Sequence, residues 1–143
     1  MRARIRLFNE SSGRLPSAKL RELCDRICAA ESAPDFRAQI NIVFTGDREI
    51  RKLNKLHRRK DKATDVLSFN LDDPDSPDST FGEIYVSAPT AARQATAYGG
   101  TITEEYLRLV CHGMLHLFGY DHRNKREERV MKAREELYLG SVK

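Results

Sequence analysis

The chain has 143 residues, 40% hydrophobic and 32% charged, with a formal net charge of +4 and a pI near 9.1. That length suits a single domain over residues 1–143 with a real core, and no stretch approaches the ~18 apolar residues of a membrane span. Cys24, Cys28 and Cys111 form no disulfide framework and the N-terminus has no apolar signal core, so a reducing, cytoplasmic location is expected.

In chain order, Arg2 to Phe8 alternates basic and apolar residues and reads as a strand. Pro16-Ser17 opens a helix that Ser17 can cap, with Leu20, Leu23, Cys24, Ile27 and Cys28 on its inner face. Ala38 to Thr45 is a second strand that turns Ile40, Ile42 and Phe44 to one side. Asp47 can cap the next helix, whose inner stripe is Ile50, Leu53 and His57 or Leu56. Thr64 to Asn70 is a third strand, an acidic loop with prolines follows, and Gly82 to Ser87 is a fourth. Ser87 and Pro89 start a helix that stops at Gly99-Gly100. Thr101-x-x-Glu104 is a capping box for a helix running to about Phe118, and Asn124-x-x-Glu127 opens the last helix, with Val130, Met131, Leu137 and Tyr138 facing inward. The order β-α-β-α-β-β-α-α-α predicts an α+β fold with a mixed sheet and about five helices. Two βα crossovers imply three parallel strands, and strands three and four most simply pair antiparallel.

Charge is unevenly spread. Between Arg48 and Lys62 stand eight Lys or Arg against Glu49 and Asp61, whereas Asp72 to Asp78 holds four aspartates and no base. Arg48, Arg51, Lys52 and Lys55 read as a solvated helix face. Arg58-Arg59-Lys60 falls beyond the helical pattern, in a loop, and is the better candidate for contact with phosphate.

The segment His112-Gly-Met-Leu-His116-Leu-Phe-Gly119-Tyr-Asp-His122 holds three of the four histidines. Residues four apart share a helix face about 6 Å apart along the axis, so His112 and His116 can hold one metal ion. On a straight helix His122 would lie about 15 Å from His112. Gly119 can adopt the left-handed conformation that ends a helix and so fold His122 back as a third ligand. Three protein ligands leave a coordination position open, the arrangement of catalytic zinc sites. A metal held by neutral imidazoles lowers the pKa of bound water and polarises phosphoryl or carbonyl oxygens, which makes peptide and phosphodiester hydrolysis the two candidate reactions.

The histidine spacing is close to the metzincin peptidase signature H-E-x-x-H-x-x-G-x-x-H. Position 113, however, is glycine where those enzymes carry the glutamate that acts as general base. The geometry is metzincin-like; the peptidase chemistry lacks its proton acceptor.

Two further blocks accompany the histidine segment: Leu53-Asn-Lys-Leu-His-Arg58-Arg-Lys-Asp61-Lys-Ala-Thr64-Asp65-Val-Leu-Ser-Phe69 and Gly82-Glu-Ile-Tyr-Val-Ser87. Together the three resemble the YbeY family of metal-dependent endoribonucleases, whose matching patterns are L-N-x-x-Y-R-x-K-D-x-P-T-D-V-L-S-F, G-D-I-x-I-S and, for the histidine segment, H-G-x-L-H-L-x-G-Y-D-H. His57 stands where the family usually has tyrosine, and reads as an aromatic substitute rather than a ligand; Ala63 stands where proline is common. The resemblance implies a sheet of three parallel strands and one antiparallel strand with the histidine helix packed on it. It implies a single-strand-specific RNA endonuclease acting in small-subunit ribosomal RNA 3′ end maturation and ribosome quality control, with the ribosome and its assembly factors as partners. It implies zinc as the metal, one per chain, and places the family's key arginine at Arg58; the residues themselves then put the ion on His112, His116 and His122, Arg58 at the scissile phosphate, and Arg59 and Lys60 in backbone contacts to RNA. Nickel or copper can compete for an all-histidine site. Asp65 reads as a structural acid beside the site. A metallopeptidase and a non-catalytic, metal-stabilised module that docks on the ribosome are the alternatives.

Overall fold

Four strands and five helices follow one another as β1 (Arg2–Asn9), α1 (Ser17–Glu31), β2 (Arg37–Thr45), α2 (Asp47–Arg58), β3 (Val66–Asn70), β4 (Thr80–Ser87), α3 (Ala88–Tyr98), α4 (Ile102–Leu117) and α5 (Lys125–Gly140). The computed structural model describes residues 2–33, 37–71 and 80–142; the acidic stretch Asp72 to Asp78 lies outside them. The sheet order is β1-β2-β4-β3, with β1, β2 and β4 parallel and β3 antiparallel to β4.

The sheet is thus mixed as expected, but the odd strand is β3, not β4. The chain between α2 and β3 explains this. Arg59 takes a left-handed conformation (φ 59°) and reverses the chain. Residues 60–62 then double back along α2: Asp61 pairs with Arg51 at 2.7 Å, and the Lys62 carbonyl accepts from Asn54 Nδ2 at 2.9 Å. The chain therefore returns to the end of the sheet where α2 began, and β3 starts there, its Val66 opposite Val86 near the C-terminus of β4. Burial assigns the positions accordingly. β3 buries only Leu67 and suits an edge, whereas β4 buries Ile84 and Val86 and sits inside.

Ile40, Ile42, Phe44, Ile84 and Val86 form a fully buried face of the sheet beneath α4; α1 packs on both β1 and α4, and α5 on α4 and α1. Cys24, Cys28 and Cys111 are buried there as free thiols, and burial raises the proton affinity of each, pushing Cys28 and Cys111 up to about 12. They are core side chains, as their helical spacing predicts.

Successive strand residues point to opposite faces of a sheet, and β3 uses both. Ser68 Oγ donates to the Gly113 carbonyl at 3.1 Å and Asn70 Nδ2 to the Leu117 carbonyl at 3.0 Å, which ties β3 to α4. Phe69, between them, packs against His57 of α2 with ring centroids 4.9 Å apart. The C-terminal ends of α2 and α4 therefore flank neighbouring residues of one edge strand from opposite sides.

The predicted capping box is present, with Thr101 and Glu104 bonded reciprocally, and Asn124 accepts from the Glu127 amide. Four expectations are corrected. Ser17 and Asp47 are first helical residues rather than caps; Pro16 and Gly46 occupy the cap positions and neither helix has a side-chain cap bond. The Asp47 carboxylate is instead engaged by α3, accepting from Ser87 Oγ, Thr90 Oγ1 and Arg93. Asn54 joins Ile50 on the buried stripe of α2, while Leu56 is 71% exposed. On α5, Met131 and Tyr138 are buried, but Val130 and Leu137 are exposed, because only one side of α5 meets α4 and α1.

Candidate metal centre

α4 is an apolar helix whose inner face is saturated by the sheet, leaving His112 and His116, one turn apart, at its margin and half-buried. The helix ends as the glycine predicts. Gly119 has φ 97°; its N–H bonds the His116 carbonyl at 3.0 Å, and the Tyr120 N–H bonds the Leu115 carbonyl at 3.0 Å. This is a Schellman turn. It brings His122 back over the helix end, with its ring centroid 5.5 Å from that of His112 and 5.2 Å from that of His116. One ligand nitrogen from each of His112, His116 and His122 lies within 4.8 Å of the others.

Hydrogen bonds decide which nitrogens are available. His112 Nδ1 meets Glu135 Oε1 at 2.6 Å, and His116 Nδ1 meets the Tyr120 carbonyl at 2.9 Å. A carboxylate and a carbonyl accept, so both Nδ1 atoms carry the proton as donors. The two Nε2 atoms then face each other at 3.0 Å with lone pairs toward a common point. Two lone pairs at that distance repel unless a cation lies between them, so the donor set fits a metal ion. Burial holds the proton affinity of His116 below the ordinary imidazole range, and neighbouring His112 lowers it further. Both effects favour the neutral imidazole, the form that binds a metal.

The Tyr120 carbonyl is itself held in place. Its hydroxyl donates to Glu31 at the end of α1 at 2.9 Å, and the same carboxylate accepts from the Tyr138 hydroxyl of α5. Neither Glu135 nor this carbonyl is visible in the local histidine spacing. Glu135 comes from another helix, and a backbone acceptor has no residue type to betray it.

Gly113 lies on the sheet side of α4. A Cβ there would sit 2.9 Å from Ile84 Cγ2 and 3.0 Å from Ser68 Oγ. The position that carries the peptidase glutamate is thus closed by packing as well as empty of a carboxylate.

Arg58 is the last residue of α2 rather than a loop residue, because the helical pattern runs one turn further than the apolar stripe suggests. Its side chain is exposed and makes no hydrogen bond or ion pair among the described residues, and it is not part of the histidine cluster. Arg59, left-handed, and Lys60, whose N–H reaches the Asn54 carbonyl at 3.3 Å, are also exposed. His57 lies outside the group of three histidines, and its ring packs the end of α2 on Phe69. Asp65 accepts from the Val66 N–H at 2.8 Å and lies 3.9 Å from Arg108, whose guanidinium forks onto Glu105. Asp65 is a structural acid where β3 begins.

A family model described as Endoribonuclease YbeY matches residues 7–143. The Endoribonuclease YbeY of Shouchella clausii is 38% identical over 147 residues, covering 94% of this chain and 92% of that protein. That of Aquifex aeolicus is 44% identical over 103 residues, covering 72% and 69%. The solution structure of TM1509 from Thermotoga maritima matches with a TM-score of 0.64 at 31% identity, over 96% of this chain and 88% of that one. With a match that takes in all three histidines and both helix ends at β3, the chain belongs to the endoribonuclease YbeY family.

Proposed function

We propose that this chain is a metal-dependent endoribonuclease that cuts single-stranded RNA, working in the cytoplasm on the 3′ end of small-subunit ribosomal RNA and in ribosome quality control. The observation that carries the reading is the convergence of His112 and His116 Nε2 lone pairs beside His122, in a chain whose relatives bear the name Endoribonuclease YbeY. Among the described residues no helix is long and apolar enough to cross a membrane.

In this reading His112, His116 and His122 hold one zinc ion, which supplies a Lewis acid and an activated water at the scissile phosphate when bound. The residues of the chain do the rest. His112 and His116 keep their Nδ1 protons on Glu135 and Tyr120, so their Nε2 atoms stay free for the ion. Arg58 binds the phosphate under attack, where a planar guanidinium offers paired donors to the charge that develops on its oxygens. His57 on Phe69 and Asn70 on Leu117 fix the two helix ends on either side of β3, and this supports Arg58 and the histidines acting on one strand. Arg59 and Lys60 add contacts to flanking phosphates, which makes binding salt-sensitive and nearly blind to sequence. The ribosome and its assembly factors are the partners this role requires.

The test is cleavage of labelled single-stranded RNA by wild type, His116→Ala and Arg58→Glu, each first shown to be folded and assayed for bound zinc. Wild type cuts, His116→Ala loses metal and activity together, and Arg58→Glu keeps metal but loses cleavage by about 100-fold or more. Equal residual cleavage by all three overturns the reading. Peptide cleavage lost with His116→Ala would establish the peptidase instead, and ribosome binding without any cleavage the non-catalytic module.

A further inference from the structure

We infer that Glu135 is a positioning residue of the metal centre, fixing the tautomer and ring orientation of His112; the inference rests on the metal-site reading above. Glu135 lies on α5 and its Oε1 meets His112 Nδ1 at 2.6 Å, short for a nitrogen–oxygen hydrogen bond. Both side chains are largely withdrawn from water, His112 at 26% exposure and Glu135 at 19%. In a half-buried setting a charge-assisted bond of this length holds the ring far more firmly than a contact on the open surface.

Its consequence falls on the other nitrogen. A free neutral imidazole can place its proton on either nitrogen. A carboxylate at Nδ1 leaves Nε2 as the lone-pair nitrogen and makes it a stronger donor to a metal. The three histidines differ in this respect. His116 is fixed by a neutral carbonyl, and among the described residues His122 has no ring hydrogen bond, so His112 alone has its ring nitrogen hydrogen-bonded directly to a carboxylate. Three neutral imidazoles leave the charge of a bound dication uncompensated, and the Glu135 carboxylate offsets part of it without occupying a coordination position. The position of Glu135 is itself determined from two sides, by Met131 in the core and by the Tyr138 hydroxyl on Glu31. α5 therefore acts as the outer wall that aims His112.

A mere α4–α5 ion pair would make the same contact, and metal affinity separates the two. Zinc affinity is measured by chelator competition on wild type, Glu135→Ala and Glu135→Gln, together with metal-free thermal melting and nitrogen NMR of the His112 ring. Glu135→Ala is expected to weaken zinc binding by roughly 10–100-fold and to release the His112 proton from Nδ1. Glu135→Gln keeps the shape and a carbonyl acceptor, so it restores the tautomer and part of the affinity. Unchanged affinity and an unchanged tautomer in both variants, with only melting affected, overturn the inference. Absence of zinc binding in wild type would instead overturn the metal-site reading on which it depends.

Discussion

Replacing Gly113 by alanine pits two effects of opposite sign against each other. Gly113 lies inside α4, where glycine is about 1 kcal/mol less favourable than alanine. Propensity alone therefore predicts a gain. The packing predicts a loss, because the new methyl would stand 2.9 Å from Ile84 Cγ2, 3.2 Å from Ile84 Cδ1 and 3.0 Å from Ser68 Oγ. Ser68 can rotate away, at the expense of its bond to the Gly113 carbonyl, worth about 1 kcal/mol. Ile84 cannot yield as easily: it is β-branched, fully buried, and on a strand paired on both sides. Overpacking of this kind costs about 1–3 kcal/mol; the propensity gain and the lost hydrogen bond cancel, so the net expectation is a destabilisation of about 1–3 kcal/mol. Unfolding entropy of about 2.1 cal/mol/K per residue over 143 residues converts this to a Tm lower by about 3–10 °C. Calorimetry of the metal-free protein is the measurement, and a Tm equal to or above wild type refutes the close-packing argument. Gly113→Glu, the peptidase residue, must lift α4 from the sheet and is expected to lower zinc affinity as well as Tm.

Asp47 sets a pH dependence. Burial alone raises its carboxyl, but hydrogen bonds from Ser87, Thr90 and Arg93 outweigh that and bring it from 3.8 down to about 2. A folded-state value below the unfolded one stabilises above about pH 4 and is lost as pH falls from 3.8 toward 2. The side chain is 33% exposed, so solvent screening reduces the contribution to about 1 kcal/mol. Urea unfolding of wild type and Asp47→Asn should differ by about that much at pH 7 and converge near pH 2; a gap that does not shrink contradicts the assignment. Arg59→Gly should raise Tm by about 2–3 °C, since glycine occupies the left-handed region without the Cβ penalty of roughly 1 kcal/mol. The same change should weaken single-stranded RNA binding and reduce its salt slope by about one; lower stability, or an unaltered slope, would count against the strain or the phosphate contact respectively.

What the sequence made legible follows how local each feature is. His112, His116, Gly119 and His122 lie in one short segment whose geometry depends on helical pitch and a single turn, so the cluster could be drawn before any tertiary structure. The Thr101 and Asn124 caps are local for the same reason. The strand order was not accessible in this way. Nothing in residues 59–65 announces that the chain doubles back, because the reversal turns on Arg59, a residue type that rarely takes a left-handed φ, and on a buried asparagine. Asp47 shows the limit of reading caps by residue type: the right kind of side chain stood next to the cap and was engaged by a helix 40 residues later. Val130 and Leu137 show that an apolar stripe states only what could be buried; how much is buried depends on what arrives to cover it. Glu135 is a similar case, one acid among several on α5 until α4 is laid beside it.

The Schellman turn at Gly119 also bears on the order in which the protein assembles. All three histidines of the cluster lie between His112 and His122, so bringing them together closes a very short loop at little entropic cost. A metal ion can therefore be captured as soon as the end of α4 has formed, before the sheet pairs β2 with β4 across some forty residues. Capture at that stage would hold the turn shut while slower, long-range pairing proceeds. The turn that gathers the three histidines in the folded protein also makes their cluster one of the least topologically demanding parts of the chain to build.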